Sequence, residues 1–145
     1  MQVTRHAPGQ TIGLLMSDPV ERREIADLLA GLGHSVEIAV RPDPGPDALK
    51  CSTMLIVDEN WGARFAPELM RLKQASSPLF VPILVLAREA AETIGWIRRG
   101  FDDVLPWSLA TRDLMARLEV FQRLRVTSQG AVRETEERYR TTFDE

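Results

Sequence analysis

The sequence predicts an α/β fold in which a five-stranded parallel sheet carries helices on both faces. Short apolar runs recur along the chain and alternate with segments of helical periodicity. The run Thr53–Asp58 (TMLIVD) is uncharged and largely branched until its final carboxylate, which is typical of a strand buried on both faces of a parallel sheet. The 145 residues suffice for one ordinary domain with some length to spare.

The composition excludes several classes of protein. Hydrophobic residues make up 44% and charged residues 27%, as in soluble globular proteins. The 18 basic and 21 acidic side chains give a net charge of -3, so the chain lacks the excess of positive charge that is typical of proteins that bind nucleic acid or an anionic membrane. No apolar run approaches the ~20 residues of a membrane span, and the start MQVTRHAPGQ lacks the apolar core of a signal peptide. The lone Cys51 excludes an internal disulfide and favours a cytoplasmic protein.

The first elements follow from caps and periodicity. Residues 1–10 show no periodicity and are expected to be a flexible tail. Thr11–Met16 is the first predicted strand, and Asp18 is the predicted N-cap of a helix that ends at Gly33. The apolar face of this helix consists of Ile25, Leu28, Leu29 and Leu32.

The middle of the chain contains a proline-rich interruption. His34–Val40 is a second predicted strand, and the three prolines of Arg41–Pro46 exclude a regular helix after it. Only a stub at Asp47–Lys50 could be helical. The third strand then ends at Asp58.

The remaining elements alternate in the same way. A long helix is expected to begin near Thr111, after four elements in alternation. These are a helix over Phe65–Ala75, a strand over Val81–Leu86, a helix over Ala90–Arg99 that Gly100 ends, and a strand over Val104–Pro106.

Topology brings two segments into one crevice. Right-handed crossovers leave the flavodoxin-like strand order 2-1-3-4-5 as the simplest doubly wound (βα)5 arrangement for this length, here with an extended C-terminal helix. The first and third strands are adjacent in that order. Met16–Asp18 and Asp58 are therefore predicted to meet at the carboxyl edge of the sheet.

The sequence resembles the receiver domain of two-component response regulators from about Thr11 to Phe121. The matching pieces are LLMSDPVERREIADLLAGLG, LIVD ending at Asp58, PILVLA, and GFDDVLPWSLATRDLMARL. In that family the aspartate that ends the third strand accepts a phosphoryl group from a histidine kinase. Mg²⁺ held by two acids, a hydroxyl after the fourth strand and a lysine after the fifth strand assist the transfer, because the attacked phosphoryl group is anionic.

The resemblance implies that Asp58 is the phosphoacceptor position and that the helper positions have changed. The acid positions fall on Met16 and Ser17, the hydroxyl position on Ala87, the lysine position on Trp107, and the aromatic switch position on Val104. The only lysines, Lys50 and Lys73, lie where neither can replace the missing ammonium. The sequence therefore predicts weak or no phosphorylation, with no cofactor and no metal centre.

Three charged residues leave alternatives open. Asp18 and Glu59 could supply carboxylates for a rearranged Mg²⁺ site, although the N-cap role also explains Asp18. Arg88 could pair with Asp58 and mimic a neutralised site, or it could be a solvated loop residue.

The roles of the tryptophans and of the crevice beside Asp58 also remain open. Trp107 could plug the pocket or pack against the third or fourth helix, and Trp61 could cap the crevice or contact a partner. A crevice lined by Met16, Ala87 and Trp107 would be apolar and could hold a small molecule, as in a pseudo-receiver.

The C-terminal segment indicates a multidomain protein. The ending EERYRTTFDE resembles the lead-in helix of PAS sensor domains. Residues 11–123 are therefore predicted to be the receiver domain and 124–145 a signalling helix that leads into a PAS domain. The implied parent is a bacterial sensor histidine kinase, or a diguanylate cyclase, whose receiver is not itself an enzyme. Expected partners are its own PAS and kinase domains and a second copy that pairs through the C-terminal helix.

Overall fold

The computed structural model describes residues 11–39, 52–77, 79–88, 93–107 and 111–143. The strands are β1 (Thr11–Leu15), β2 (Ser35–Ala39), β3 (Met54–Asp58), β4 (Ile83–Ala87) and β5 (Asp103–Pro106). The helices are α1 (Pro19–Gly31), α2 (Glu59–Arg64), α3 (Ala66–Ser76), α4 (Thr93–Arg98) and α5 (Thr111–Phe143). The predicted tail, the proline-rich segment with its helical stub, and Cys51 lie outside the described residues.

The sheet confirms the predicted fold class. Its strand order is β2-β1-β3-β4-β5, and every pairing is parallel. β1 and β3 are neighbours in register, with Leu14 opposite Ile56 and Leu15 opposite Val57. The end of β1 and Asp58 therefore lie at the same edge of the sheet, as the flavodoxin-like order requires.

The sheet has a hydrophobic core on each face, because successive strand side chains point to opposite sides. Leu55 and Val57 of β3 pack in one core with Leu69 of α3 and Trp96 of α4. Ile56 packs in the other core, which α1 and α5 cover with Leu29, Leu114 and Leu118. All five residues of β3 and of β4 are buried, so both strands are central.

Two glycines end helices as predicted. Gly33 and Gly100 follow α1 and α4 with φ values of 94° and 108°. A residue with a Cβ is strained in this left-handed region. At Gly100 a Cβ would also clash with the sulfur of Met70, so packing reinforces the backbone requirement.

Several boundaries differ from the sequence-based prediction. Helix α2 begins directly after β3, where no helix was predicted, and α3 starts at Ala66. The strand ends move by one or two residues, which leaves Met16 just outside β1. The predicted extension of the last helix is present, and α5 continues through Gly130 to Phe143. None of the described helices is long and apolar enough to cross a membrane.

Candidate functional site

A polar cleft of about 330 Å³ opens at the carboxyl edge of the sheet. The cleft forms because β1, β3, β4 and β5 all end at this edge and the chain turns away from each of them. Its floor contains Asp58, which is only 6% exposed. The described lining residues are Ser17, Asp18, Glu21, Asp58, Glu59, Asn60, Leu86, Arg88 and Trp107.

Both oxygens of the Asp58 carboxylate accept hydrogen bonds. The backbone nitrogen and the hydroxyl of Ser17 each donate to Oδ2 at 2.7 Å. The backbone nitrogen of Trp61 donates to Oδ1 at 2.9 Å, so Asp58 is also the N-cap of α2. Asn60 Nδ2 supports the arrangement by donating to Ser17 Oγ at 3.3 Å. These donors stabilise the buried anion and fix its orientation.

Asp18 serves α1 as its N-cap. Its Oδ1 accepts hydrogen bonds from the backbone nitrogens of Val20 at 2.8 Å and Glu21 at 3.3 Å, so this alternative is confirmed. Glu59 Oε1 accepts from the backbone nitrogen of Arg88 at 2.7 Å. Each of the two carboxylates of the suggested rearranged metal site therefore has a partner of its own.

The residues at the cleft do not fit the Mg²⁺ ion that a receiver resemblance implies. A hard cation needs several oxygen donors that face one point. Ser17 instead turns donors towards Asp58, and the Met16 side chain, at the other acid position, is 0% exposed. Across the described ranges, no three His, Cys, Asp or Glu side chains are grouped to hold a metal ion.

Arg88 does not pair with Asp58, and that alternative is wrong. Its guanidinium Nη2 contacts Glu21 Oε1, which joins the end of β4 to α1. The guanidinium carbon also lies 5.6 Å from the centre of the Trp107 ring. Because Ser17 and Trp61 already satisfy Asp58, the arginine stays on the rim, where its side chain is 66% exposed.

Trp107 stands where the resemblance to receiver domains implies a lysine. Its backbone nitrogen donates to the carbonyl of Ala87 at 3.0 Å, which fixes the residue directly beyond the β4–β5 pair. The half-buried ring lines the cleft and packs against the core on the α1–α5 face. Trp107 therefore lines the cleft and packs in the α1–α5 core, so packing against α3 or α4 is wrong, and the plug stays a prediction.

Trp61 contributes its backbone to the cleft and its ring to the core. The ring packs against the core beneath α3 and α4 and meets Phe65 edge-on, with centroids 5.9 Å apart. The prediction that this ring caps the crevice is wrong, since it is not among the described lining residues. The sequence-based prediction missed that Asp58 is an N-cap whose side chain accepts from the backbone nitrogen of Trp61. Asp58 followed by Glu59 is nevertheless a recognisable helix start.

Three of the positions that the resemblance singles out lie in the hydrophobic cores. Met16, Ala87 and Val104 are buried: Met16 lies in the core on the α1–α5 face, and the other two lie in the opposite core. The interpretation of an apolar crevice is therefore wrong. Trp107 is among the described lining residues of the cleft, but Met16 and Ala87 are not. The small-molecule alternative loses the observation that motivated it.

Lys73 lies far from the cleft, in agreement with the sequence analysis. Its ammonium donates to Asp102 Oδ2 at 2.6 Å and to the carbonyl of Val81 at 2.8 Å. Val81 precedes β4 and Asp102 precedes β5, so the lysine sits at the amino edge of the sheet. Lys50 lies outside the described residues.

No family model matches this chain, and no curated protein matches it. Similar solved structures include NtrX from Brucella abortus, with 19% identity, a TM-score of 0.68, and coverage of 91% of this chain but 30% of that one. A putative pilus assembly-related protein from Burkholderia pseudomallei has 22% identity and a TM-score of 0.65, with 84% of this chain and 96% of that one covered.

A third structure is the N-terminal receiver domain of RstA from Klebsiella pneumoniae. It is 20% identical with a TM-score of 0.62, and the match covers 80% of this chain and 99% of that domain. This chain thus spans about 30% of NtrX and almost the whole length of the RstA domain. The strand order and these matches together show that the chain has the flavodoxin-like fold of response regulator receiver domains.

Proposed function

We propose that this chain is an atypical receiver domain in two-component signal transduction that acts through protein contacts, with weak or no phosphorylation of Asp58. One observation carries the proposal. Ser17 stands at a position where the family has an acid, and it donates two hydrogen bonds to Asp58. Where the family has a group that holds a cation, this chain has one that donates hydrogen bonds to the carboxylate.

The surroundings of Asp58 support the same conclusion. Transfer of an anionic phosphoryl group requires positive charge at the reacting oxygens. Ala87 offers no hydroxyl and Trp107 no ammonium, while the nearby cation Arg88 is engaged by Glu21 on the rim. The carboxylate can act as a structural anion without these groups, but it is poorly equipped as a nucleophile.

Exposed apolar side chains support a role in protein contacts. Ile94 and Ile97 of α4 and Met115 of α5 are between 42% and 65% exposed. Val120 and Leu124, one turn apart on α5, are also about half exposed. We propose that α4, β5 and α5 dock a partner, and that α5 pairs with a second copy or leads into a PAS domain of a cytoplasmic histidine kinase.

Acetyl phosphate with Mg²⁺ provides the test, with incorporation measured by intact-protein mass spectrometry. The expected result is that this chain incorporates much less phosphate than a phosphorylatable receiver in the same reaction. The triple variant Ser17→Asp/Ala87→Ser/Trp107→Lys, which restores three helper positions, should gain Mg²⁺-dependent label. Stable Mg²⁺-dependent label on the unaltered chain that disappears in Asp58→Ala would overturn the proposal.

An active phosphoacceptor with a rearranged metal site is a second candidate. The observation that favours it is that Asp18, Asp58 and Glu59 line the same cleft, although in this structure each accepts a hydrogen bond of its own and they are not grouped to hold a metal ion. Mg²⁺ would have to displace the Ser17 and Arg88 donors from these carboxylates, which should alter tryptophan fluorescence because Trp61 and Trp107 adjoin them. A saturable change that Glu59→Gln abolishes, together with phosphorylation, would favour this candidate over the first.

A further inference from the structure

A second polar network lies at the opposite edge of the sheet, around Phe80 in the connection between α3 and β4. The backbone nitrogen of Phe80 donates to Ser128 Oγ at 3.0 Å. Its carbonyl accepts from Arg125 Nη1 at 2.8 Å. Both partners belong to α5, so two side chains of one helix hold both backbone polar groups of a single loop residue.

The Phe80 ring joins the same network to α3. Lys73 Nζ lies 4.9 Å from the centre of that ring, and the Phe121 ring of α5 lies 6.4 Å away. The same ammonium binds Asp102, whose Oδ2 also accepts from the backbone nitrogen of Ile83 at 2.7 Å. Contacts therefore run without a gap from α3 through Phe80 to α5.

Arg125 donates to Phe80 although its surroundings disfavour its charge. Burial lowers the pKa of Arg125 below its ordinary value. Its Nε atom is buried and has no hydrogen-bond partner among the described residues. Burial and the unpartnered Nε both cost free energy, and the hydrogen bond from Nη1 to the Phe80 carbonyl offsets part of that cost.

We propose that Phe80, Arg125 and Ser128 form a clasp that fixes the direction in which α5 leaves the domain and couples that direction to α3 through Lys73. Among the described side chains of α5, the last buried one is Leu118. A helix held at one place can pivot about it. The clasp adds a second attachment roughly 10–15 Å further along the axis, at the ~1.5 Å rise per residue of an α-helix. The inference is independent of whether Asp58 is phosphorylated.

Hydrogen–deuterium exchange of the whole chain tests the clasp. Arg125→Met should raise amide exchange over 124–143 by at least about tenfold, because it removes a hydrogen bond to a charged group. Exchange in β3 should not change. Arg123→Met is the matched control, since Arg123 is an exposed arginine of the same helix whose ion-pair partner, Glu119, is also on α5. Equal exchange in these two variants over 124–143 would overturn the clasp.

Two further variants keep the test decisive. Arg125→Met could loosen the entire fold, and Ser128→Ala is then the gentler test because it removes a single hydroxyl. A rise in amide exchange confined to 124–143 in Ser128→Ala supports the clasp, and no rise overturns it. Lys73→Met tests the coupling to α3. Faster exchange over 124–143 in that variant supports the coupling, and a response restricted to β4 and β5 overturns it.

Discussion

The hydroxyl and the backbone nitrogen of Ser17 both lie 2.7 Å from one oxygen of Asp58, across the join between β1 and β3. This pair makes Asp58 a structural residue. Its carboxylate links two adjacent strands and starts α2, and both tasks require a buried anion that stays in place. Stability measurements can therefore reveal the role of Asp58 without any phosphoryl donor.

Removal of the Ser17 hydroxyl should destabilise the fold. Ser17→Ala is expected to lower the free energy of unfolding by about 1–3 kcal/mol, the range for a hydrogen bond to a buried charged group. Urea denaturation measures the change. Ser35→Ala is the control, because Ser35 is exposed at the start of β2 and should tolerate the loss. Equal effects of the two substitutions would contradict the role given to Ser17.

Removal of the Asp58 carboxylate should also cost stability. Asp58→Ala leaves the donors of Ser17 and Trp61 without their acceptor, and the loss of an N-cap alone costs about 1 kcal/mol. The midpoint of urea unfolding should fall clearly below that of Asp27→Ala, which removes an exposed carboxylate from α1. A variant as stable as the parent would show that Asp58 has no structural role.

Loss of the Arg88 side chain should loosen the cleft rim at small cost. Arg88→Ala removes an exposed ion pair and a cation–π contact, each of which is worth about 1 kcal/mol or less. In a Trp61→Phe/Trp96→Phe background, the emission of Trp107 should shift to longer wavelength as water reaches its ring. Arg71→Ala, which breaks an exposed pair on α3, should leave the emission unchanged. An unshifted spectrum for Arg88→Ala would contradict the rim contact.

The turn after α4 should not accept a side chain. Gly100→Ala combines a left-handed backbone with a close approach to Met70, and a cost of about 1–3 kcal/mol is expected. Gly130→Ala should be neutral or stabilising by up to about 1 kcal/mol, because no described atom outside its own stretch of helix lies within 4 Å of the new methyl group and alanine favours the helix. Thermal unfolding compares the two variants. A Gly100→Ala variant more stable than Gly130→Ala would contradict the requirement for glycine at position 100.

The sequence predicted the sheet well because its signals are local. The uncharged run that ends at Asp58, the Asp18 cap and the two helix-ending glycines each depend on neighbouring residues, and each is confirmed. The helix that starts at Asp58 was missed because Gly62 in its middle weakens the helical pattern.

Contacts between distant residues could not be predicted in the same way. Arg88 and Glu21 are 67 positions apart, and nothing in the sequence selects Glu21 over Asp58 as the partner of Arg88. The buried orientation of Met16 and Ala87 likewise depends on where each strand stops, and strand ends are the least predictable part of such an element. The domain boundary at 123 and the PAS domain stay predictions.

The length of α5 makes it a lever. Beyond Phe121 the helix extends roughly 30 Å at the ~1.5 Å rise per residue, so a tilt of about 5° at its base would carry Phe143 sideways by roughly 3 Å. Displacements of that size separate alternative packings of helices at interfaces. A change at the sheet too small to rearrange the core could thus become, at the far end of α5, a choice between two modes of contact.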